Sequence, residues 1–143
     1  MTIDQISIFV ENGPGRLAAI TEIIADAGVD ICAMSIADTT DFGILRIIVE
    51  QPKRVEELLR SNGYVVSVTQ VLAVSIEDKP GSLSRVLRII SNAAISIEYI
   101  YAFITRKKDN AYVVFRVEDN QRTAEILAEN NIYAAADINE ILQ

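Results

Sequence analysis

Two short segments hold the residues whose types and spacing suit the binding of a small charged molecule. They run from Glu11 to Leu17 and, 66 positions later, from Glu77 to Leu83, and both contain a Pro-Gly pair. Each separates an apolar run from a stretch with helical spacing of apolar residues, which predicts a turn from a strand into a helix. The unpaired N–H groups and the dipole at a helix N-terminus favour an anion such as a carboxylate.

Asn12 and Asp78 place oxygen atoms beside this predicted anion site. Such oxygens accept hydrogen bonds from an ammonium group, so the two kinds of acceptor together suit an α-amino acid. Glycine lets the backbone approach a ligand closely, and proline fixes the chain direction. The residues alone leave a second interpretation open, in which Asn12 and Asp78 cap the helices and the Pro-Gly pair only makes a tight turn.

A third candidate is the run Glu98-Tyr99-Ile100-Tyr101, which is predicted to lie in a strand. Alternation places Tyr99 and Tyr101 on one face of that strand, together with Ile97 and Phe103. Either the hydroxyl groups contact a ligand or they reach the edge of a half-buried strand, and the pattern favours neither.

The composition argues against several other functions. The 143 residues carry a formal net charge of −7, which opposes a phosphate backbone, so we expect no nucleic-acid partner. The chain contains no histidine, and we find no catalytic constellation, metal-ligand set or phosphate loop, so we expect neither an enzyme nor a cofactor. The one cysteine, Cys32, has apolar neighbours and is expected to be buried and unreactive. Without a signal-like N-terminus or an apolar run of about 20 residues, we expect a cytoplasmic protein with no membrane contact.

The elements that must position these residues occur twice. At an offset of 66, Pro14-Gly15 and Leu17 recur as Pro80-Gly81 and Leu83. Each copy reads strand, helix, strand, strand, helix and strand, which is the order of the ferredoxin-like split motif with its helices on one face of an antiparallel sheet. The sequence therefore predicts an α+β chain with two βαββαβ modules, residues 1–70 and residues 71–143.

The junction between the copies has no Pro-, Gly- or Ser-rich linker, because Val65 to Glu77 is almost continuous strand-forming sequence. Such a stiff junction favours modules held in one fixed arrangement. Ile44 to Val49, interrupted only by Arg46, also lacks the alternation of a sheet with one wet face. We therefore expect the apolar strands to be covered by the sister copy or by a second chain, and we expect a homodimer.

The segment from Asp78 to Leu83, with the apolar helix after it and Ile95-Ser96-Ile97, resembles the start of an ACT domain. That family shows Asp-x-Pro-Gly-x-Leu, then an amphipathic helix, a glycine and an Asn-Ile pair. The first copy is similar through Asn12 to Leu17 and Gly28 to Ile31. The resemblance covers nearly the whole chain, twice, and implies two modules side by side in a continuous eight-stranded antiparallel sheet with helices on one face.

In ACT domains an amino-acid effector binds between the strand-to-helix turn of one module and the second strand of its neighbour. The resemblance therefore implies two sites, each made of a turn and of a second strand within Cys32 to Ala37 or Glu98 to Phe103. The ligand-binding residues that it implies are Asn12, Gly13, Pro14, Gly15, Arg16, Leu17 and Ser35 of the first copy and Asp78, Lys79, Pro80, Gly81, Ser82, Leu83, Glu98, Tyr99, Ile100 and Tyr101 of the second.

The two copies depart from the family pattern in different ways. The first has Asn12 in place of the usual aspartate, and the second has Ala94 where the glycine is expected, so we expect its first helix to end differently. Gly13 precedes Pro14 in the first copy, whereas the second has Lys79, whose charge repels an ammonium group. We therefore expect the turn of the first copy to be the better amino-acid site.

The resemblance implies a non-catalytic regulatory protein that binds a small amino-acid effector. Because we recognise no catalytic or DNA-binding domain beside the modules, we expect it to act in trans on a partner, such as a metabolic enzyme. The alternative is a ligand-free accessory subunit that docks a metabolic enzyme through its open sheet. Calorimetric titration with the twenty standard amino acids distinguishes the two, because only the first predicts heat of binding.

Overall fold

The computed structural model describes residues 1–38, 41–104 and 109–142. The chain divides into two compact units, which we call the N-terminal unit (Asp4–Thr69) and the C-terminal unit (Met1–Ile3 with Gln70–Gln143). The elements are, in chain order, β1 Ile3–Glu11, α1 Arg16–Asp26, β2 Ile31–Asp38, β3 Phe42–Val49, α2 Pro52–Ser61, β4 Val66–Glu77, α3 Ser82–Asn92, β5 Ile97–Ala102, β6 Asn110–Val117, α4 Asn120–Glu129 and α5 Ile138–Leu142.

The N-terminal unit is a sheet with strand order β2-β3-β1-β4, against which α1 and α2 pack. The β1/β3 and β2/β3 pairs are antiparallel, and the N–H of Phe9 donates to the carbonyl of Val65 over 3.1 Å, just before β4 begins. Alternate residues of β1 and β3 point into one core and meet two turns of each helix. This core contains Ile6, Ile8, Val10, Ile20, Ile24, Leu45, Ile47, Val49, Val55 and Leu59.

In the C-terminal unit the strand order is β4-β6-β5, with both pairs antiparallel. Here the second half of β4 supplies the strand that β1 supplies in the N-terminal unit. The helices α3 and α4 pack against one face. The core contains Leu72, Val74, Val86, Ile90, Val113, Phe115, Val117, Ala124, Leu127 and Ile132.

The predicted eight-stranded sheet is wrong in its number of strands, because the described residues form six. One of the two missing strands is accounted for by β4, which is continuous and serves both as the last strand of the first copy and as the first strand of the second. The other strand, predicted near Ala134 to Leu142, is reduced to a single bridge between Val74 and Ala134 and a 2.8 Å hydrogen bond from Ala135 N–H to the Ala73 carbonyl.

The chain after this bridge forms α5 instead of a strand, because Asp137 and Glu140 make a helix start. The Asp137 carboxylate accepts from the Glu140 N–H over 3.1 Å, and the Glu140 carboxylate accepts from the Ala136 N–H over 2.6 Å. This reciprocal pairing of an acid with another acid three residues later is close to a capping box. The alanines before it are poor strand formers, so nothing local opposes the helix.

The predicted starts of the second helices are confirmed. Pro52 is the first residue of α2, where its missing N–H costs no hydrogen bond. Asp119 precedes α4, and its side chain accepts from the Arg122 N–H over 3.0 Å. Among the helices of the described ranges, none is both long enough and apolar enough to cross a lipid bilayer.

The first helices of the two copies end in the same way, so the expectation that α3 ends differently is wrong. Gly28 follows α1 with φ 71°, and Ala94 follows α3 with φ 59°. Both donate an N–H to the carbonyl three residues earlier, Ala25 and Ser91, over 2.9 Å. The left-handed conformation is open to glycine, but it costs an alanine about 1–2 kcal/mol. The backbone of the fold, and not the local sequence, sets the helix end in the second copy.

Cys32 lies in β2 with 2% of its surface exposed, which confirms that it is a buried residue. Burial, together with the negative charges of Asp30 and Glu50, raises the pKa of its thiol to about 11. The thiol therefore stays protonated at neutral pH, and a protonated thiol is a poor nucleophile.

Replacing Ala94 by glycine is expected to stabilise the chain by about 1 kcal/mol, because it removes left-handed strain at a small cost in unfolded-state entropy. Urea denaturation followed by circular dichroism measures the change. The control is Ala93→Gly, one residue earlier at φ −86°, which is expected to destabilise by about 0.5–1 kcal/mol. An Ala94→Gly variant no more stable than the parent would show that the strain is absent.

Cys32 is expected to react with Ellman's reagent at pH 8 only as fast as the chain unfolds, because the thiolate is rare and the sulfur is covered. In concentrated urea one thiol per chain should react at once, which is the control for total thiol. Complete reaction of the native protein on the timescale of the urea sample would contradict the buried, protonated thiol.

Candidate ligand-binding site

The two predicted turns share one backbone conformation. Gly15 precedes α1 with φ 79°, and Gly81 precedes α3 with φ 92°. A Cβ atom built at either glycine meets no atom within 4 Å, so the glycine is needed for the left-handed backbone and not for lack of space. Both turns are exposed from the acidic residue at the end of the strand, Glu11 or Glu77, to the glycine before the helix.

The N-cap residues of α1 and α3 are Gly15 and Gly81, so Asn12 and Asp78 do not occupy the N-cap position and no N-cap side chain accepts a hydrogen bond from either helix. No backbone carbonyl of the described ranges outside the helices accepts a hydrogen bond from the N–H groups of Leu17 and Ala18 in α1 or of Leu83 and Ser84 in α3. Each turn therefore presents two backbone donors and the positive end of a helix dipole, which is the arrangement that an anion needs.

Each turn also carries an exposed ion pair. The guanidinium of Arg16 lies 3.3 Å from the Glu11 carboxylate, and the Nζ of Lys79 lies 2.7 Å from that of Glu77. The Arg16 side chain folds back over Gly13, because a Cβ built at Gly13 would lie 3.6 Å from its Nε. The hydrogen bond and charge of Lys79 lower the pKa of Glu77 from 4.5, helped by the charge of Arg85.

A cleft opens beside each turn, at the same place in both copies. It lies between the end of the first strand, the start of the first helix and the loop after the second helix, whose residue Gly63 or Asn131 has a φ of 86° or 61°. The first cleft, of about 420 Å³, is lined by Phe9, Val10, Glu11, Arg16, Phe42, Gly63, Tyr64 and Val65. The second cleft, of about 360 Å³, is lined by Ser75, Ile76, Glu77, Lys79, Ser82, Arg85, Val86, Asn131 and Ile132.

Three of the predicted site residues line these clefts: Arg16 in the first, and Lys79 and Ser82 in the second. The other predicted turn residues stand at the exposed turns outside both linings. They are Asn12, Gly13, Pro14, Gly15 and Leu17 in the first copy and Asp78, Pro80, Gly81 and Leu83 in the second.

The sequence reasoning missed the aromatic lining of the first cleft, although strand alternation carried a signal for Phe9. Because Ile8 and Val10 face the core, Phe9 must face away from it. Phe42, opposite Glu11 in the β1/β3 register, has a ring centroid 6.1 Å from that of Phe9. An unexpected aromatic residue on the non-core face of a strand marks a surface with a second purpose.

The predicted second-strand residues lie only in part as their spacing predicts, because Ile97, expected on the face of Tyr99 and Tyr101, packs against the core on the other side of a register shift. Tyr99 and Tyr101 share the half-buried face of β5, with ring centroids 6.3 Å apart, whereas Glu98 and Ile100 are exposed. The register shifts between Ile97 and Tyr99, and the Glu98 carboxylate lies 3.4 Å from the Arg116 guanidinium. Since Arg116 is the register partner of Tyr99, the Glu98 carboxylate reaches the residue opposite Tyr99 and is paired there.

In the first copy, Ser35 lies in β2 opposite Arg46 and is half-buried. Among the described residues, no three Cys, Asp or Glu side chains come together as a metal site. The charged groups near the turns are thus paired with each other, and the donors left open are backbone N–H groups.

Replacing Lys79 by methionine is expected to raise the pKa of Glu77 towards 4.5, because the hydrogen bond and the positive charge are lost together. The ion pair stabilises the fold above the unfolded-state pKa, and this contribution is lost as the pH falls through the lowered pKa. The carboxyl ¹³C shift, titrated by NMR from pH 7 to pH 2, measures the change. Lys53→Met, a lysine at the start of α2, is the control, and an unchanged Glu77 titration in Lys79→Met would disprove the pair.

Comparison with known families gives one match over residues 1–142, described as an ACT domain pair. The crystal structure of protein BT0572 from Bacteroides thetaiotaomicron is 36% identical, with a TM-score of 0.87, over 94% of this chain and 92% of that one. No curated protein sequence matches.

The ligand-free regulatory subunit of aspartate kinase from Thermus thermophilus is 14% identical, with a TM-score of 0.67, over 88% of this chain and 91% of that one. The corresponding subunit from Thermus flavus is 14% identical, with a TM-score of 0.60, over 88% and 90%. At this identity the likeness shows the shared fold alone. The family match and the resemblance to BT0572 rest on sequence as well, and they establish that this chain belongs to the ACT domain family of regulatory amino-acid-binding modules, as an ACT domain pair.

Proposed function

We propose that this ACT domain pair is a non-catalytic regulatory protein that binds a small amino acid at the turn before α1 and acts in trans on a partner protein. The observation that supports the proposal is the uncapped start of α1 behind a left-handed Gly15. A ligand carboxylate that accepts from the N–H groups of Leu17 and Ala18 satisfies two donors that the described chain leaves open.

The same turn offers acceptors for the ammonium group of the ligand. The side-chain oxygen of Asn12 and the exposed carboxylate of Glu11 are both on this turn. An ammonium group bound to a carboxylate makes a charge-assisted hydrogen bond, which is about twice as strong as a neutral one. A carboxylate and an ammonium group at this spacing are common to all α-amino acids, so the turn recognises the class and other contacts select the side chain.

We propose that the turn of the N-terminal unit is the better site, because its first glycine, Gly13, is replaced by Lys79 in the other copy. Gly13 leaves backbone exposed before Pro14, whereas Lys79 places an ammonium group at the equivalent position. That group lies 2.7 Å from Glu77 and occupies the carboxylate that would otherwise receive the ligand. The second turn therefore favours anions over zwitterions.

By the family resemblance, the second strand of a module also contributes to a ligand site, and we propose Ser35 of β2 and Glu98, Tyr99, Ile100 and Tyr101 of β5 for this role. A bound amino acid then regulates a partner only if it prefers one arrangement of the modules or chains over another.

We propose a metabolic enzyme as the partner and a cytoplasmic homodimer as the form that acts on it. The aspartate kinase subunits that share the fold are regulatory subunits of an enzyme, which supports the first point. Exposed apolar side chains support the homodimer, because surfaces that carry them favour association. Among such residues in the N-terminal unit, Ile36 of β2 is 49% exposed and Val68 of β4 is 39% exposed.

Gly15→Ala is expected to weaken amino-acid binding by about tenfold, because the new methyl group occupies the open space through which a ligand approaches the N–H groups. Isothermal titration calorimetry with each of the twenty standard amino acids measures it. Gly81→Ala is the matched control, since it introduces the same methyl group at the same φ region in the other copy. Both variants lose about 1 kcal/mol of stability, so a fall in unfolding midpoint common to both does not count as loss of binding.

Three outcomes contradict parts of the proposal. Loss of binding in Gly81→Ala with Gly15→Ala unaffected places the site in the second copy. Loss in neither variant removes the turns from the site. No heat from any amino acid supports instead the ligand-free accessory subunit that docks an enzyme through its sheet.

A further inference from the structure

The first cleft carries more exposed aromatic surface than folding explains. Phe9, Phe42 and Val65 are 46%, 44% and 64% exposed, and none of them belongs to the core of the N-terminal unit. Leaving large apolar side chains in water forgoes the stabilisation that their burial gives. A polar residue at any of these positions would lose nothing in core packing, so the apolar lining points to a molecule that covers it.

The cleft has a fixed shape despite its exposure. Phe9 and Phe42 are held on neighbouring strands with their rings at 59°, a tilted arrangement that aromatic pairs favour. The opposite wall is fixed by two hydrogen bonds, from the Phe9 N–H to the Val65 carbonyl and from the Tyr64 N–H to the Leu59 carbonyl, each of 3.1 Å. Its volume of about 420 Å³ is in the range of small-molecule sites.

The rim of the cleft carries both charges that a zwitterion needs. Arg16 and Glu11 line it and form an ion pair of 3.3 Å, with side chains 58% and 80% exposed. An exposed pair of this kind contributes little to stability, so a ligand can separate the two groups at small cost. The guanidinium then joins the N–H groups at the start of α1 in binding the ligand carboxylate, and the Glu11 carboxylate binds the ammonium group of the ligand.

The second cleft is an internal comparison, because the repeat places it at the equivalent position. There Ser75 stands in place of Phe9, and Ile132 in place of Tyr64. Lys79 and Arg85 add two positive charges beside Glu77. The same backbone therefore frames an apolar cleft in one copy and a polar, cationic cleft in the other.

We propose that the first cleft takes the side chain of an α-amino acid with a large apolar side chain, while Arg16 and Glu11 bind its carboxylate and ammonium groups. This inference rests on the proposed function and adds the ligand class and the side-chain pocket, both within the N-terminal unit. Phe9, Phe42 and Tyr64 contact the ligand side chain, and the tilted pair of rings receives an aromatic or branched group. Acidic and basic amino acids are rejected because no residue of the apolar wall can pair with their side-chain charge.

The test is calorimetric titration of the full chain with phenylalanine, leucine and methionine and, for comparison, with aspartate, lysine and serine. The first three are expected to bind at least about tenfold more tightly than the last three, because an unpaired side-chain charge is costly in an apolar wall. Phe42→Ala is expected to weaken binding by about tenfold and Arg16→Gln by at least about tenfold.

Tyr133→Ala is the matched control. Tyr133 is an aromatic residue of the C-terminal unit, 63% exposed, at the position equivalent to Val65, and its removal is expected to leave affinity unchanged. Should Phe42→Ala fold poorly, amide shifts of Gly63 and Val65 in the unaltered protein answer the same question. They are expected to move on addition of phenylalanine, whereas that of Asn131 is expected to stay.

The outcomes separate this inference from the proposed function. Binding confined to charged or small polar amino acids, or unaffected by Phe42→Ala and without shifts at Gly63 and Val65, overturns the apolar pocket and leaves the proposed function standing. No binding of any amino acid overturns both. If Phe42→Ala instead converts an oligomer to monomers in sedimentation velocity and no amino acid competes, the cleft is a contact between two copies of this chain.

Discussion

The left-handed glycine between strand and helix is the constraint on which the rest of the site depends. At Gly15 and at Gly81 a positive φ turns the chain out of the sheet and directly into a helix, without an intervening residue whose side chain caps it. The helix therefore begins with open N–H donors, and the residues before the glycine are carried onto the exposed end of the strand. The exposed ion pair and the cleft both lie beside this backbone conformation, which presents the start of a helix in the way that suits an anion.

Because the same backbone occurs twice in one chain, differences between the copies report what the side chains do. The helices α1 and α3 begin and end alike, even where Ala94 has to adopt the conformation of Gly28. The left-handed backbone is therefore the same at these two positions, although one residue is a glycine and the other an alanine. The lining of the clefts has changed, by contrast, from aromatic to polar and cationic. Identical geometry with different chemistry is what two binding surfaces of different specificity require, and packing alone gives no reason for it.

The sequence predicted the class of fold, the family and the turns, because each depends on local signals. Proline, glycine and helical spacing locate the turns, and Asp119 and Pro52 locate helix starts. It overestimated the strands for two physical reasons. The strand-forming sequence from Val65 to Glu77 was counted as two strands although it forms the single strand β4, and the acids that turn Ile138–Leu142 into a helix outweigh a weak apolar pattern. The full lining of the first cleft could not be predicted from the sequence, because Phe9 and Tyr64 are 55 positions apart and only the folded chain brings them together.

The exposed ion pairs show how such a turn can recognise a ligand without losing the fold. Each joins two solvent-exposed side chains, and pairs of that kind contribute little to stability. The cores of the two units are built from other residues, so opening a pair leaves them intact. Arg16 and Glu11 can exchange each other for a ligand at small cost, whereas in the other copy Glu77 accepts a hydrogen bond from the ammonium group of Lys79, which lowers the pKa of Glu77. The aromatic lining of the first cleft, and the lysine that occupies Glu77 beside the second, both support our proposal that the first turn is the one that recognises a zwitterion.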